Sequence, residues 1–318
     1  MSNKIKHFTY QPTGVEHYGT VIDSKEGFDV IECEACWFKH IIPIPTPEES
    51  EKLYKEDFYS TEKPKYFKEV EEDLEWWNLA YLNYYQLFEK YCPKGSRRLL
   101  EIGSGPGYFL KCGEELGWEC LGFEPSEQAY EYSQKLGVRV VNEFFDESNA
   151  DKYGKFDVVY LHTVIEHLPD PISLIKTAKR ALKPGGIICI IAPNDYNPLQ
   201  NILREKLGYD PWWVAPPQHI NYFDFESIKK LLERLGFEII ESTGTFPMEF
   251  FLLSGDNYVG NDELGRKCHL KRKIFETNMY KYGSEQLNSI YKRLSDNNIG
   301  REFIIIGKVK DGIKRCEE

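Results

Sequence analysis

From residue 97 onward, the chain alternates short apolar runs with amphipathic segments at β-α-β spacing. Gly117, Gly137 and Gly236 stand where a predicted helix has to end before the next strand, a position that glycine favours. The predicted strands are 97–103, 119–124, 138–143, 156–162, 186–192, 237–243 and 302–309, and the predicted helices are 107–116, 126–136, 171–182 and 225–235. This alternation predicts an α/β fold with a doubly wound, mainly parallel sheet.

The turn after the first predicted strand is rich in glycine. Residues 99–110 read LLEIGSGPGYFL, so Gly103, Gly105 and Gly107 alternate with small or turn-forming residues before a helix begins. Glycine permits backbone angles closed to other residues and lets a ligand lie against the main chain. The helix N-terminus adds free N–H groups and a positive dipole, which favour a carboxylate or a phosphate. The pattern therefore predicts a nucleotide-binding turn.

Residues 1–60 do not continue the alternation and are predicted to form a small N-terminal segment of their own. They contain a predicted strand over 28–32 and a second apolar stretch, followed by a linker stiffened by prolines. Residues 48–59 and 66–91 have helical patterns. The second helix carries an aromatic stripe, which is typical of core packing, and lies just before the glycine-rich strand. We therefore expect residues 61–96 to form a helical connector that covers the ligand site.

Two long segments interrupt the alternation of the remaining chain, which we assign to one domain over 97–318. Residues 193–222 are rich in proline and contain two tryptophans, and residues 247–300 are aromatic, charged and partly helical. Structureless segments of this length are uncommon inside a compact domain unless they are functional. Because both follow strands at an end of the sheet, we predict that they cap the ligand site.

Composition narrows the classes of partner. The chain has 318 residues, 41% of them hydrophobic, which is enough for one large or two modest domains with a real core. Its formal charge of -11 argues against a nucleic-acid backbone as the main partner. No stretch approaches the roughly 18 apolar residues of a membrane span, and the polar N-terminus lacks a signal-peptide pattern. These features predict a cytoplasmic protein that binds neither nucleic acid nor membrane, and they leave its oligomeric state open.

Of the eight cysteines, only Cys33 and Cys36 form a motif, a Cys-x-x-Cys turn between two apolar segments. In a reducing compartment such a pair suggests a metal before a disulfide. Two thiolates on a tight turn can face one tetrahedral ion, and His17 and His40 are best placed to complete the set. The hypothesis is a structural Cys2His2 zinc site, because four protein ligands leave no open position for chemistry. The alternative is a pair of reduced, half-buried cysteines.

A carboxylate stands at the end of the second predicted strand. Glu124 lies about 20 residues beyond Gly103, where an acidic side chain can accept hydrogen bonds from ribose hydroxyls. The glycines and Glu124 fit either a dinucleotide or another adenosine cofactor. Two details favour an adenosine cofactor other than a dinucleotide. The glycines follow Gly-x-Gly-x-Gly, and Tyr108 stands where the dinucleotide fingerprint requires a small residue.

Four motifs then follow one another in an order that resembles a known family. They are LEIGSGPG (100–107), GFEPS (122–126), FDVVYLHTVIEHLPDP (156–171) and LKPGG (182–186). In this ordered set, residues 97–246 and the closing strand resemble the class I S-adenosylmethionine-dependent methyltransferases. The resemblance implies a Rossmann-like, seven-stranded sheet of order 3-2-1-4-5-7-6 with an antiparallel last strand, and S-adenosylmethionine as the cofactor.

The same resemblance assigns cofactor-binding residues. It implies that Glu101 and the glycines hold the methionine end and that Glu124 binds the ribose. Residues after the third strand would contact the adenine, and the end of the fourth strand would pass under the methionine moiety. The full set is Glu101, Gly103, Ser104, Gly105, Gly107, Glu124, Pro125, Glu143, Phe144, Leu161 and His162. The Cys-x-x-Cys segment also resembles the zinc-bearing N-terminal part of bacterial sugar and natural-product methyltransferases, which usually have two such pairs.

A base would assist methyl transfer to a hydroxyl or a protonated amine, and a neutral histidine suits this task near pH 7. His219, in the loop before the last crossover helix, is the first candidate base, and His162 is the second. His167 resembles the Glu-His of ubiquinone-pathway O-methyltransferases, but Thr163 replaces the acidic residue that helps those enzymes bind a divalent ion. We therefore expect His167 to be a packing or capping residue.

The leading functional prediction is methyl transfer to a small-molecule acceptor, either a sugar, a nucleotide-linked compound or a natural-product intermediate. Transfer to oxygen or nitrogen is favoured over transfer to carbon. Two alternatives of other classes stay open at this point. One is an NAD-dependent oxidoreductase, and the other is a non-catalytic, methyltransferase-like protein that binds a partner.

Overall fold

The computed structural model describes residues 4–55, 64–92, 95 and 97–310. In chain order the strands are β1 (Ile5–Tyr10), β2 (Val15–Lys25), β3 (Phe28–Cys33), β4 (Lys39–Ile42), β5 (Arg98–Ile102), β6 (Glu119–Phe123), β7 (Val140–Val141), β8 (Phe156–His162), β9 (Leu182–Pro193), β10 (Asn221–Tyr222), β11 (Phe237–Gly244) and β12 (Glu302–Val309). The helices are α1 (Pro47–Lys52), α2 (Tyr66–Glu72), α3 (Leu74–Tyr91), α4 (Tyr108–Glu115), α5 (Glu127–Leu136), α6 (Pro171–Ala181), α7 (Pro198–Leu207), α8 (Phe225–Arg234), α9 (Glu249–Leu253) and α10 (Asp262–Ser295). Within these ranges, no helix is both long and apolar enough to cross a membrane.

Seven strands form a central sheet of order β7-β6-β5-β8-β9-β12-β11. The strands from β7 to β9 run parallel, whereas β12 runs antiparallel to both β9 and β11. With β5 counted as strand 1 and β12 as strand 7, this is the predicted order 3-2-1-4-5-7-6, which is therefore confirmed. Parallel strands place their carboxyl ends at one edge of a sheet, where ligands bind. Because β12 is antiparallel, its first residue lies at that same edge.

The edge strand β7 is shorter than the pattern predicts. Only Val140–Val141 pairs with β6, against a predicted strand over 138–143. The next residue, Asn142, donates from its side-chain amide to the carbonyl oxygens of Glu124 and Pro125, at 3.0 and 3.3 Å. Such side-chain bonds to nearby backbone compete with strand pairing, and an apolar pattern does not report them. The other predicted elements of the α/β part begin and end within four residues of the observed bounds.

The long helix predicted over 66–91 is in fact two helices, α2 and α3. They are separated at Asp73, whose backbone leaves helical angles with φ -104° and ψ 4°. Its carboxylate lies 2.6 Å from His269 and also pairs with Lys273, both on α10. Helical periodicity cannot predict this tertiary partner. Of the helix predicted over 48–59, the first part forms α1, and the end lies outside the described residues.

The N-terminal segment forms a five-stranded antiparallel sheet of order β1-β2-β3-β4-β10. The sequence pattern predicts the strand at 28–32 but misses β1 and β2, because they are largely exposed or half-buried and contain no continuous apolar run. The fifth strand, β10, comes from the segment 193–222, and its residue Asn221 pairs with His40. The N-terminal sheet is therefore completed by a distant part of the chain. The predicted boundary at residue 60 lies outside the described residues.

One hydrophobic cluster joins the two sheets. Ile31 and Phe38 of the N-terminal sheet belong to the same buried cluster as Leu100 and Phe223. The rings of Phe38 and Phe223 lie 4.7 Å apart, centroid to centroid. Fully burying side chains of this size contributes about 1.5–3 kcal/mol each. The two sheets thus share one core, and the segment 193–222 adds to it by packing Trp213 and its neighbours against β3 and β4.

Candidate active site

A cavity of ≈ 400 Å³ lies at the carboxyl edge of the central sheet, within the size range of small-molecule sites. Its described lining comes from the turn after β5, the ends of β6 and β8, the segment after β7, and helices α2 and α3. Glu302, the first residue of β12, also lines it. Among the described lining residues, none belongs to 193–222 or 247–300, so the role of these segments as caps stays a prediction.

The glycine-rich turn forms one wall of the cavity. Gly103 has φ +73°, and a Cβ atom there would lie 2.7 Å from Cγ2 of Val164. Gly107, the N-cap of α4, has φ +88°, and a Cβ atom there would lie 2.7 Å from Cγ2 of Val138. Both the backbone angle and the lack of space therefore require glycine at these two positions. The turn can approach a ligand closely because it carries no side chain at Gly103.

Two buried carboxylates lie beside this turn. Glu124 accepts hydrogen bonds from the backbone N–H groups of Gly105 and Ser126, at 2.8 and 2.9 Å. Burial raises the pKa of Glu124 to about 7, although these two N–H groups lower it. Burial, followed by the charge of Glu124, raises the pKa of Glu101 well above its ordinary value. One carboxylate oxygen of Glu101 is buried without a hydrogen-bond partner among the described residues.

These carboxylates fit the polar groups of S-adenosylmethionine. The unpartnered oxygen of Glu101 suits an ammonium donor such as the amine of the methionine end, since a buried carboxylate is costly unless it is paired. Glu124 keeps acceptor capacity for ribose hydroxyls, because each carboxylate oxygen accepts more than one hydrogen bond. The residues present therefore match the donor groups of the cofactor that the sequence predicts.

Aromatic side chains of α3 divide between the core and the cavity. Tyr85 and Phe88 are fully buried, and Tyr85 stacks on Phe109 with ring centroids 4.7 Å apart. Trp77 and Tyr81 line the cavity and stack with centroids 5.7 Å apart. The aromatic stripe thus serves both for core packing and for lining the cavity. The tertiary contacts of each residue decide which of the two roles it has.

A histidine and a carboxylate that both line the cavity face each other. Nε2 of His162, the last residue of β8, lies 3.4 Å from Oε1 of Glu302. The second oxygen of Glu302 accepts a hydrogen bond from the hydroxyl of Thr245 at 3.2 Å. Burial acts to raise the pKa of Glu302, but the hydrogen bond from His162 and the charges of His162, Arg272 and Arg301 lower it to about 2. Glu302 is therefore an ionised carboxylate in a partly buried position.

His219, the first candidate base, is not among the described residues that line the cavity. Its ring contacts the ring of His167 edge-on, with centroids 4.9 Å apart. His167 does line the cavity, and its Nδ1 lies 2.7 Å from the carbonyl oxygen of Gln218. His219 thus lies behind His167, whereas His162 reaches the cavity directly. The role of His219 as a base stays a prediction.

A second polar site lies in the N-terminal sheet. The ligand atoms of His17, Cys33, Cys36 and His40 all lie within 4.8 Å of one another, and all four residues are buried. Nδ1 of His17 lies 3.1 Å from Nε2 of His40, 3.3 Å from the sulfur of Cys36 and 3.9 Å from that of Cys33. Ligands of a tetrahedral zinc ion are separated by roughly 3.3–3.8 Å, given its bond lengths to nitrogen and sulfur. The cluster therefore fits a closed Cys2His2 zinc site.

The hydrogen bonds of the histidines support this fit. Nδ1 of His40 lies 2.9 Å from the carbonyl oxygen of Ile41, so Nδ1 is the protonated nitrogen and Nε2 faces the cluster. Such a bond on the outer nitrogen is the usual way in which a metal-binding histidine is oriented. The adjacent strands β2, β3 and β4 bring the four residues together. We refer to His17, Cys33, Cys36 and His40 as the Cys/His cluster.

Comparison with known proteins identifies the family. A family model described as a methyltransferase domain matches residues 74–242, which is more than half of the chain. The chain belongs to the methyltransferase-domain family. Together with the sheet order, this match confirms the resemblance to class I S-adenosylmethionine-dependent methyltransferases, and it favours this enzyme over the oxidoreductase alternative.

The methyltransferase has relatives in archaea and bacteria. It is 29% identical over 189 residues to an uncharacterized protein of Methanocaldococcus jannaschii, covering 59% of this chain and 83% of that protein. It is 30% identical over 167 residues to a ubiquinone biosynthesis O-methyltransferase of Caulobacter vibrioides, covering 49% of this chain and 64% of that enzyme. A plantazolicin methyltransferase solved with a monoazolic desmethylPZN analog and SAH has a TM-score of 0.51 at 14% identity, covering 82% of this chain and 95% of that chain. This structural likeness concerns the fold.

The methyltransferase brings most of the predicted cofactor residues to one cavity. Those that line it are Glu101, Gly103, Ser104, Gly105, Glu124, Pro125, Glu143, Phe144 and His162. Gly107 and Leu161 are not among the described lining residues. Gly107 shapes the start of α4, and Leu161 faces the opposite side of the sheet from Tyr160 and His162, because side chains alternate along a strand. The contacts of each residue with the cofactor stay predictions.

Sequence reasoning missed Glu302 altogether. The only signal in the sequence is an acidic residue at the start of a mostly apolar strand, EFIIIGKV. Glu302 and the Cys/His cluster both lie outside the residues that the family model matches. These two features therefore lie outside the matched part of the chain.

Proposed function

We propose that the protein transfers the methyl group of S-adenosylmethionine to an oxygen or a nitrogen of a small-molecule acceptor. The observation that carries this proposal is one cavity that is lined by Glu101, Glu124 and His162 together. When bound, the cofactor supplies an electrophilic methyl group on its sulfonium. The protein has to hold the acceptor in line with that group and exclude water, which the aromatic wall of Trp77 and Tyr81 favours.

The charged residues that line the cavity indicate the chemical class of the acceptor. Its described lining contains the carboxylates of Glu101, Glu124, Glu143 and Glu302 but no lysine or arginine. A diphosphate would enter without a cationic partner, and phosphate sites are normally built with arginine, lysine or a metal. An uncharged or cationic sugar or natural-product intermediate is therefore better supported than a nucleotide-linked acceptor.

Calorimetry tests cofactor binding, and turnover assays then test the class of acceptor. We expect S-adenosylhomocysteine to bind with a micromolar Kd and NAD not to bind. Candidate acceptors are then compared in matched pairs, each sugar with its nucleoside diphosphate derivative, by measuring S-adenosylhomocysteine release. Uncharged members should be turned over at least tenfold faster. Absence of S-adenosylhomocysteine binding at high micromolar concentration would contradict the proposed function, and turnover of only the nucleotide-linked members would contradict the acceptor class.

The raised pKa of Glu124 predicts that cofactor binding depends on pH. Below pH 7 the buried carboxyl is mostly neutral in the free protein, whereas donation by ribose hydroxyls favours the ionised form. Binding therefore releases a proton, and affinity falls as the pH falls through 7. We expect the Kd of S-adenosylhomocysteine to rise about tenfold from pH 8 to pH 6 by linkage. Calorimetry at both values measures it, and equal affinities would exclude this role for Glu124.

We also propose that the Cys/His cluster binds zinc in a purely structural role. All four donors come from the protein, which closes the coordination sphere to substrates. The predicted cytoplasmic location agrees with this proposal, because a reducing compartment keeps Cys33 and Cys36 as thiols that can bind a metal. When bound, zinc would fasten β2, β3 and β4 to one another.

A further inference from the structure

The antiparallel last strand brings a carboxylate to the catalytic edge of the sheet. Glu302 begins β12, opposite Pro193 at the end of β9. In a parallel strand, the residue that follows a long insertion would lie at the other edge. The reversal of β12 places Glu302 beside His162, although 140 residues separate the two in sequence.

Several contacts hold Glu302 in one position. Oε1 faces Nε2 of His162 at 3.4 Å, and Oε2 accepts from the hydroxyl of Thr245 at 3.2 Å. The backbone N–H of Glu302 donates to that same hydroxyl at 3.1 Å. Glu302 and His162 are each 17% exposed, so both are largely shielded from water while they still line the cavity. A carboxylate fixed in this way orients the imidazole that it faces.

The other charged and aromatic groups near His162 do not replace Glu302 as the partner of its Nε2. The guanidinium of Arg272 donates to Glu276 at 2.9 Å and lies over the ring of Trp76. From α3 and β8, His162 faces aromatic rings, those of Trp77 at 5.8 Å and Tyr160 at 6.2 Å. Arg301 acts on Glu302 through its charge. The carboxylate of Glu302 is thus the anion that Nε2 of His162 contacts.

We propose that Glu302 is a positioning residue that holds His162 as the proton acceptor of methyl transfer, an inference that rests on the function proposed above. The Nε2–H group points to Glu302, which leaves the lone pair of Nδ1 to accept a proton. The acceptor oxygen or nitrogen forms the bond to the methyl carbon, and the carbon–sulfur bond breaks with its electron pair left on sulfur. The acceptor's proton passes to Nδ1, and the carboxylate balances the charge of the resulting imidazolium.

This pairing restricts the acceptor class further. It requires an acceptor whose oxygen or nitrogen carries a proton that is lost on methylation, such as a hydroxyl group or an amine. A general base of this kind typically contributes 10²–10⁴-fold to the rate. A carboxylate beside a histidine stabilises the imidazolium that forms when the ring accepts a proton. Removing the charge of Glu302 should therefore lower the rate of methyl transfer.

The experiment compares wild type with Glu302→Gln, and with Glu241→Gln as a matched control. Glu241, on the neighbouring strand β11, also carries ion-pair and tyrosine contacts but does not touch His162. Nitrogen NMR of histidine-labelled protein, assigned with His162→Asn, reports the tautomer of His162 without any acceptor. We expect the Nε2–H tautomer to dominate in wild type and in Glu241→Gln, and to lose that dominance in Glu302→Gln.

The second measurement is the steady-state turnover of the acceptor. This acceptor is the one identified by comparing each sugar with its nucleoside diphosphate derivative. In Glu302→Gln we expect kcat to fall about 100-fold, with the KM for the acceptor and the Kd of S-adenosylhomocysteine changed less than threefold. Thr245→Ala, which removes both hydrogen bonds between that hydroxyl and Glu302 but keeps the charge, should give a smaller fall in kcat and serves if Glu302→Gln does not fold. An unchanged His162 tautomer in Glu302→Gln, or a normal kcat in both variants, would overturn the pairing. Failure of wild type to bind S-adenosylhomocysteine would instead overturn the proposed function.

Discussion

We expect that replacing Cys33 and Cys36 together by serine abolishes zinc binding and lowers the unfolding temperature by roughly 5–10 °C. A ligand present at 1,000 times its Kd stabilises the folded state by about 4 kcal/mol, and serine hydroxyls are poor zinc ligands. All four residues of the Cys/His cluster are buried, so losing the ion leaves their donors facing one another without water. Elemental analysis of the purified protein and thermal unfolding measure the two effects.

The control for this substitution is Cys112→Ser, which replaces another buried cysteine, on α4 and outside the Cys/His cluster. It should keep one zinc per chain, and any fall in its unfolding temperature reports only the cost of burying a hydroxyl. Wild-type protein without stoichiometric zinc, whose unfolding temperature is unchanged by a chelator, would rule out the metal site. In that case the buried cysteines and histidines have a packing role only.

The effect of zinc should extend to the cavity wall. His40 of the Cys/His cluster pairs with Asn221 in the N-terminal sheet. The side-chain amide of Asn221 donates to the carbonyl oxygens of Ile165 and Leu168, at 2.9 and 2.8 Å, and Leu168 lines the cavity. Hydrogen exchange in the double serine variant should therefore increase in β10 and in residues 165–168. In Cys112→Ser the exchange of these segments should match wild type.

The second large effect concerns Glu124. We expect Glu124→Ala to raise the Kd of S-adenosylhomocysteine about 100-fold, because hydrogen bonds to a charged group are worth about 1.5–3 kcal/mol each and 1.4 kcal/mol is a tenfold change. Two contributions combine: the lost acceptor for the ribose, and the lost anchor for the N–H of Gly105. Calorimetry at pH 8, where the wild-type carboxylate is ionised, measures the change.

Two further variants separate these contributions. Glu127→Ala removes an exposed carboxylate three residues away, on α5, and should bind S-adenosylhomocysteine like wild type. Glu124→Gln keeps the shape and one acceptor oxygen but not the charge, so its affinity should fall between those of wild type and Glu124→Ala. An affinity of Glu124→Ala within threefold of wild type would show that the ribose is held elsewhere.

The candidate site was predictable from sequence where a single short segment contains both the required backbone conformation and the functional side chains. The glycine-rich turn and Glu124 sit at the ends of strongly apolar strands, so their place at the carboxyl edge follows from the strand pattern. The Cys/His cluster was predictable in part, because Cys33 and Cys36 share one turn. The spacing along the chain suggests His17 and His40 as the other two ligands. The pairing of β2, β3 and β4 brings these histidines beside the two cysteines.

Other features depend on contacts between distant residues. The break at Asp73 follows from pairing with α10, nearly 200 residues later. The N-terminal sheet acquires β10 from the segment 193–222, which the sequence pattern predicts only as a cap. His219 was the first candidate base because its loop precedes a crossover helix, yet the described cavity wall contains His167 in front of it.

By itself, the sequence determined the α/β class, the sheet order that its family resemblance implied, and the glycine-rich turn and Glu124 that line the cavity. These depend on periodicity and on motifs whose residues lie close together in the chain, so local patterns contain the information. Only the tertiary structure decided that His162 faces Glu302 and that the N-terminal sheet shares a core with the central one. Both depend on which strands become neighbours and in which direction they run, and pairings over more than 100 residues leave no periodic signal in the sequence.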